Sequence, residues 1–167
     1  RYARSSQEKT RRMIDGDIRD WPRRVLFGVG KRRELARVLA DLGSRRAVIV
    51  CGKTVASGPL LGEVTASLGV QCAGVFGGVR AHTPFEDVQQ AAGIVRDLRA
   101  DAIVTVGGGS AIDCGKGIVL LSATSGDFAP YSIDYAAKGM QRQALPKPTL
   151  RHVALPTTAG SASDVMP

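Results

Sequence analysis

The sequence predicts an α/β fold, a parallel sheet flanked by helices, on three observations. Short β-branched runs alternate with amphipathic helical stretches along the chain, the pattern of successive β-α-β units. A length of 167 residues, 44% hydrophobic and 23% charged, suits one core with an ordinary globular balance. The apolar run Ala102–Val106 breaks into Gly107-Gly108-Gly109 and turns straight into a helical pattern, a junction typical of the carboxyl end of a parallel strand.

Residues 1–20 lack apolar periodicity and read as a basic lead-in that is processed, truncated or partly disordered, so order is expected to begin near Trp21. Strands are expected at Val25–Gly28, Ala47–Cys51, Gln71–Phe76, Ala102–Val106 and His152–Leu155, all in the parallel sheet. Between the first two, Lys31–Leu42 places Leu35, Val38, Leu39 and Leu42 on one helical face and ends at Gly43, which suits a left-handed cap. A second helix starts at Pro59, a residue favoured in the first turn, and stops before Gly69. Thr83-Pro84-Phe85-Glu86 has the form of a capping box, predicting a third helix to about Arg99. The fourth starts at Ser110 and offers Ile112, Ile118, Val119 and Leu121 for burial. Residues 122–148, with three prolines and two glycines, form a long connection without a period.

Composition narrows the function classes. The net charge of +8 lies wholly in residues 1–46, where 14 Lys and Arg face 6 Asp and Glu; the rest of the chain carries 9 of each. That charge lacks aromatic interleaving for base stacking, which argues for a solvated basic face and against nucleic acid. No apolar run approaches the roughly 18 residues of a membrane span, and no signal core follows the basic start, so a cytoplasmic location is expected. Cys51, Cys72 and Cys114 are odd in number and widely spaced, which suits packing rather than a disulfide framework or zinc site. His82 and His152 share no ligand spacing, so no metal site is expected within this chain.

Two motifs carry chemistry. At Gly107-Gly108-Gly109-Ser110 the main chain lies open to close approach, and the first turn of a helix supplies N–H groups and the positive end of its dipole, so a diphosphate is the natural occupant. The alternative is a tight turn capped by Ser110 with Asp113 as its capping-box partner. One glycine would suffice for such a turn, and three favour the ligand. The second motif, Leu155-Pro156-Thr157-Thr158-Ala159-Gly160-Ser161-Ala162-Ser163-Asp164, ends a strand in a hydroxyl-rich loop suited to ribose or phosphate contacts. Alone it would equally mark an ordinary turn.

Together, GGGSAIDCGK at 107–116 and LPTTAGSASD at 155–164 resemble the paired GGGSxxDxxK and PTTxGTGSE motifs of the iron-dependent (group III) alcohol dehydrogenases. The resemblance covers about residues 21–167 and implies a Rossmann-like, dehydroquinate synthase-like N-terminal domain that binds NAD or NADP. It further implies an all-helical domain, outside these 167 residues, that supplies Asp and His ligands to iron or zinc. The whole enzyme would interconvert an alcohol and an aldehyde or ketone by hydride transfer, as a homo-oligomer. This chain alone would be inactive, with no catalytic residue of its own. By position, Gly107, Gly108, Gly109 and Ser110 would hold the pyrophosphate, Asp113 would lie toward the nicotinamide, and Thr157 and Thr158 would contact the nucleotide. Lys116 either reaches the substrate mouth or is a plain charged helix residue. Asp164 stands where the family has Glu.

Gly52-Lys53 closes the second predicted strand where many NAD-preferring relatives carry Asp. Without that carboxylate a 2′-phosphate meets no repulsion, and Lys53 with Thr54 could donate to it, so NADP should be tolerated. The other reading is that Gly52 only serves the turn. Arg80-Ala81-His82-Thr83-Pro84 also resembles the HxP segment of the maleylacetate reductase branch, although His82 equally suits a surface position beside a cap. Maleylacetate reductase-like or glycerol dehydrogenase-like activity, and a nucleotide-binding module without catalysis, are the alternatives.

Overall fold

The computed structural model describes residues 16–20, 23–124, 126, 131, 146–159 and 162–163. Trp21, Asp164 and most of the connection 122–148 lie outside the described residues. The strands are β1 (Gly16–Asp20), β2 (Arg23–Phe27), β3 (Ala47–Gly52), β4 (Cys72–Val79), β5 (Ala102–Gly107) and β6 (Arg151–Pro156). The helices are α1 (Leu35–Asp41), α2 (Lys53–Ala56), α3 (Pro59–Leu68), α4 (Phe85–Asp97) and α5 (Gly109–Ala123).

Strands β3 to β6 form one parallel sheet in the order β4-β3-β5-β6. The two central strands are apolar on both faces, and every residue from Ala47 to Cys51 and from Ala102 to Gly107 is buried. Their alternating side chains divide the core in two. Val48, Val50 and Ile103 pack under α4 and α5, against Val88, Ala91, Val95, Cys114 and Ile118. Ala47, Ile49, Cys51, Val104 and Val106 pack on the opposite face against Leu35, Leu39, Val64 and Leu68 of α1 and α3. The α/β architecture with helices on both faces is thus the one expected.

Three details differ from expectation. Arg23–Phe27 does not join the parallel sheet but pairs antiparallel with Gly16–Asp20, at the end of the basic lead-in. The main-chain ladder forms there without any apolar alternation in Gly-Asp-Ile-Arg-Asp. Strand β4 continues past Phe76 to Val79, because Gly77 and Gly78 make room for neighbours instead of ending the strand. A Cβ on Gly77 would come within 2.7 Å of the Ala56 methyl group, and one on Gly78 within 3.1 Å of the Phe76 ring. The first helical stretch is also split, a 3-10 turn at Lys31–Glu34 preceding α1. Its end is as expected: Gly43 at φ 75° lets its N–H reach Ala40 and that of Ser44 reach Leu39, closing the helix with two reversed bonds.

The cysteines are free, with Cys51 and Cys114 buried and Cys72 partly so. Burial pushes the Cys114 thiol up to about 12, and raises the other two, so all three are neutral packing groups.

Candidate functional site

The chain runs from β3 outward to β4 on one side, then crosses back over to β5 on the other. Adjacent strands whose following connections diverge in this way leave a crevice at their carboxyl ends, the usual place for a ligand in a parallel sheet. A cleft of about 290 Å³ lies there, bounded by Gly52 at the end of β3, by Thr54 and Val55 in α2, by Val79 at the end of β4, and by Thr157 after β6. The turn Gly107-Gly108-Gly109 with Ser110 and Ala111 closes its remaining side.

The first two glycines of that turn each have a structural reason. Gly107 sits at φ 152°, which disfavours any side chain, and a Cβ there would stand 2.9 Å from the Ala111 methyl group. Gly108 has ordinary extended geometry at φ −82°, and a Cβ on it would meet the Thr158 hydroxyl at 2.9 Å. Its missing side chain therefore lets the second motif close onto the first. The same junction is fixed by the Thr157 N–H, which donates to the Gly107 carbonyl at 2.9 Å, and by the pairing of Gly107 with Pro156 across the β5–β6 ladder. Further along, the Ser163 hydroxyl donates to Asp113 on α5 at 3.3 Å.

Helix α5 starts at Gly109 with Gly108 as its cap and has no side-chain capping bond, so the alternative reading of a turn capped by Ser110 with Asp113 does not hold. The Ala111 and Ile112 N–H groups turn back to the Gly108 carbonyl. Those of Gly109 and Ser110 have no carbonyl one turn before them within the helix, and both residues line the cleft. Instead of capping, the Ser110 Oγ accepts a bond from the His82 main-chain N–H at 3.2 Å. The capping box at Thr83 is likewise absent, since α4 starts at Phe85 after Pro84 and the Thr83 hydroxyl donates to the Ser110 carbonyl at 2.9 Å. A tertiary contact has taken the hydroxyl that local spacing assigned to the helix end.

Of the residues singled out in the sequence, Gly52, Gly107, Gly108, Gly109, Ser110 and Thr157 line the cleft. Thr158 is exposed and stands beside Gly108. Asp113 is exposed on the second turn of α5, with Lys116 3.8 Å away on the same helix. Lys53 is exposed at the start of α2, while its neighbour Thr54 lines the cleft. Gly52 is extended at φ −83° and serves no left-handed turn; a Cβ on it would face the Val79 carbonyl at 3.1 Å. Val55 and Val79, which also line the cleft, carried no sequence signal beyond being apolar at element ends.

His152 lies apart from the cleft, packed between β6 and α5 with Nε2 2.9 Å from the Thr105 hydroxyl. Burial, aided by the positive charge of Lys116, pushes its pKa down to about 4, so it is neutral near pH 7. Among the described residues no three His, Cys, Asp or Glu side chains gather as metal ligands. The described residues therefore do not fit the catalytic metal that the resemblance implies. Among them, too, no helix is long and apolar enough to cross a membrane.

A glycine turn, a helix start and a threonine loop converge on the switch point of the parallel sheet, which makes the chain an α/β domain with a cleft at the carboxyl ends of its strands. The profile of the family described as iron-containing alcohol dehydrogenase matches residues 22–167, and the chain belongs to that family. Alcohol dehydrogenase 4 of Schizosaccharomyces pombe is 34% identical over 142 residues, which cover 84% of this chain and 32% of that protein. Maleylacetate reductase 2 of Cupriavidus pinatubonensis is 39% identical over 112 residues, covering 64% and 31% of the two chains. Among solved structures, sulfoacetaldehyde reductase from Bifidobacterium kashiwanohense in complex with NAD+ superposes with a TM-score of 0.71 at 25% identity, over 81% of this chain and 34% of that one. The chain thus spans about a third of the length of the relatives it matches.

Proposed function

We propose that this chain is the cofactor-binding part of an NAD(P)-dependent oxidoreductase that interconverts an alcohol and a carbonyl compound. The observation that carries this reading is the junction of Gly107-Gly108-Gly109 with Thr157-Thr158 over the start of α5, at the carboxyl ends of β3 and β5. The N–H groups of Gly109 and Ser110, with the dipole of a 15-residue helix behind them, suit the pyrophosphate of a dinucleotide. Gly52 and Thr54, across the cleft, then face the adenosine ribose, where the lack of a carboxylate admits either NAD or NADP. Membership of the family and the NAD+ complex of the sulfoacetaldehyde reductase support the same assignment.

In this reading the chain's own part in the reaction is positioning. It holds the dinucleotide by its phosphates so that the nicotinamide extends beyond the glycine turn, and the hydride chemistry belongs to the cofactor. The lack of a three-ligand cluster among the described residues means that no step through a metal is assigned to them.

Calorimetry with NAD+ and NADP+ on the chain and on Gly108→Val tests the assignment. A branched side chain at Gly108 displaces Thr158 and crowds the helix start, so dinucleotide binding should be lost while the far-ultraviolet spectrum is retained. Unchanged affinity in a folded Gly108→Val chain would remove the basis for the proposal.

A further inference from the structure

The loop between β4 and α4 holds two consecutive non-glycine residues in the left-handed region, His82 at φ 61° and Thr83 at φ 49°. A β-branched residue such as Thr83 is seldom found there, and such conformations persist only where the surroundings over-determine them. The groups that hold this loop are visible on both of its sides. At its base Asp87, buried at 4% exposure, accepts the Arg80 main-chain N–H at 2.8 Å and takes the Arg80 guanidinium at 2.6 to 3.2 Å. The Arg80 carbonyl in turn accepts the Thr83 N–H at 3.4 Å, closing a turn around His82. At its tip the loop grips a single residue of α5, Ser110, through the Thr83 hydroxyl and the His82 N–H.

The consequence falls on one proton. A serine hydroxyl has one donor hydrogen and two acceptor lone pairs. The His82 N–H uses an acceptor position of Ser110 Oγ, and among the described residues none accepts the Ser110 hydroxyl hydrogen. Ser110 itself lines the cleft. We propose that Asp87, Arg80 and Thr83 are positioning residues for cofactor binding: they hold the β4–α4 loop so that His82 turns the Ser110 hydroxyl hydrogen toward a phosphate oxygen of the dinucleotide. The strained loop is thereby a device that makes Ser110 a fixed donor, where a free hydroxyl would have to be ordered at each binding event. This inference rests on the dinucleotide reading given above.

The test is a set of double-mutant cycles read as the Kd for NAD(P)H by calorimetry, with the denaturant midpoint of each variant as a check of folding. Thr83→Ala and Asp87→Asn should each weaken binding by about tenfold or more, the size expected for the loss of one hydrogen bond to a charged group. Thr83→Ser, which keeps the hydroxyl, should bind as the parent chain does. In a Ser110→Ala background the Thr83→Ala and Asp87→Asn changes should cost less than about twofold, since the donor they orient is gone. A merely structural role would lower affinity equally with and without Ser110, or would show only in the denaturant midpoint, and either result overturns the proposal. If Gly108→Val abolishes binding while the cycles show no coupling, the dinucleotide site stands and the role of the loop falls. If the parent chain and Gly108→Val bind alike, both fall together.

Discussion

Gly115 and His152 meet across the interface of α5 and β6 so closely that a Cβ on the glycine would lie 2.8 Å from the imidazole Nε2. The same Cβ would run into the Thr105 methyl group. The missing side chain is what lets α5 settle onto the Thr105–His152 pair.

Gly115→Ala should therefore destabilise the domain. Alanine gains about 1 kcal/mol over glycine in a helix interior, but crowding a packed, buried interface costs about 1–3 kcal/mol. Gly115 is buried and its neighbour Thr105 is at 0% exposure, so the second effect should win by up to about 2 kcal/mol. A lowered urea midpoint at unchanged slope would bear this out, and a raised one would show that α5 shifts freely.

The low pKa of His152 should appear as acid sensitivity. In the unfolded chain this histidine takes up a proton near its ordinary value of about 6.5, whereas in the folded chain burial holds it neutral down to about 4. Above about pH 6.5 both states are neutral and the full contribution is present. As pH falls from there to about 4 the unfolded state binds the proton first, and stability should decline by up to about 3 kcal/mol. Denaturation curves across this window, compared with His152→Gln, measure it; equal slopes in the two proteins would exclude His152 as the source.

Gly52→Asp should turn the cleft against NADP. The backbone at Gly52 is extended at φ −83°, so aspartate fits it, with its Cβ near the Val79 carbonyl at 3.1 Å as the tight contact. A carboxylate beside a 2′-phosphate in a partly screened cleft is worth on the order of 1–3 kcal/mol, a tenfold or larger change in the ratio of NADP to NAD affinity. Titration of both cofactors decides it, and an equal loss for each would mean that the residue shapes the cleft without reading the ribose.

The sheet was legible because β3 and β5 are buried on both faces and therefore write continuous apolar runs, and the helices because their apolar faces repeat. Gly43 and Pro59 were legible for a local reason, since a left-handed cap and a first-turn proline depend on the residue itself. What could not be read were choices made between distant segments. Thr83 has the spacing of a cap, yet its hydroxyl goes to Ser110, 27 residues away. Gly77 and Gly78 look like strand breakers until Ala56 and the Phe76 ring are seen packed against them. In the site, the two motifs were legible separately, and the contact of Gly108 with Thr158 that joins them was not.

The strand order also divides the cleft by how readily its parts open. Strands β3 and β5 lie between two neighbours each, so their amides should exchange with solvent most slowly, by opening of the whole domain. The pieces that close over the glycine turn hang from the outer strands, His82 and Thr83 after β4 and Thr157 and Thr158 after β6. Fraying at either margin of the sheet would release one of them while the central pair stays intact, so a bound ligand should slow amide exchange at the margins more than in the middle.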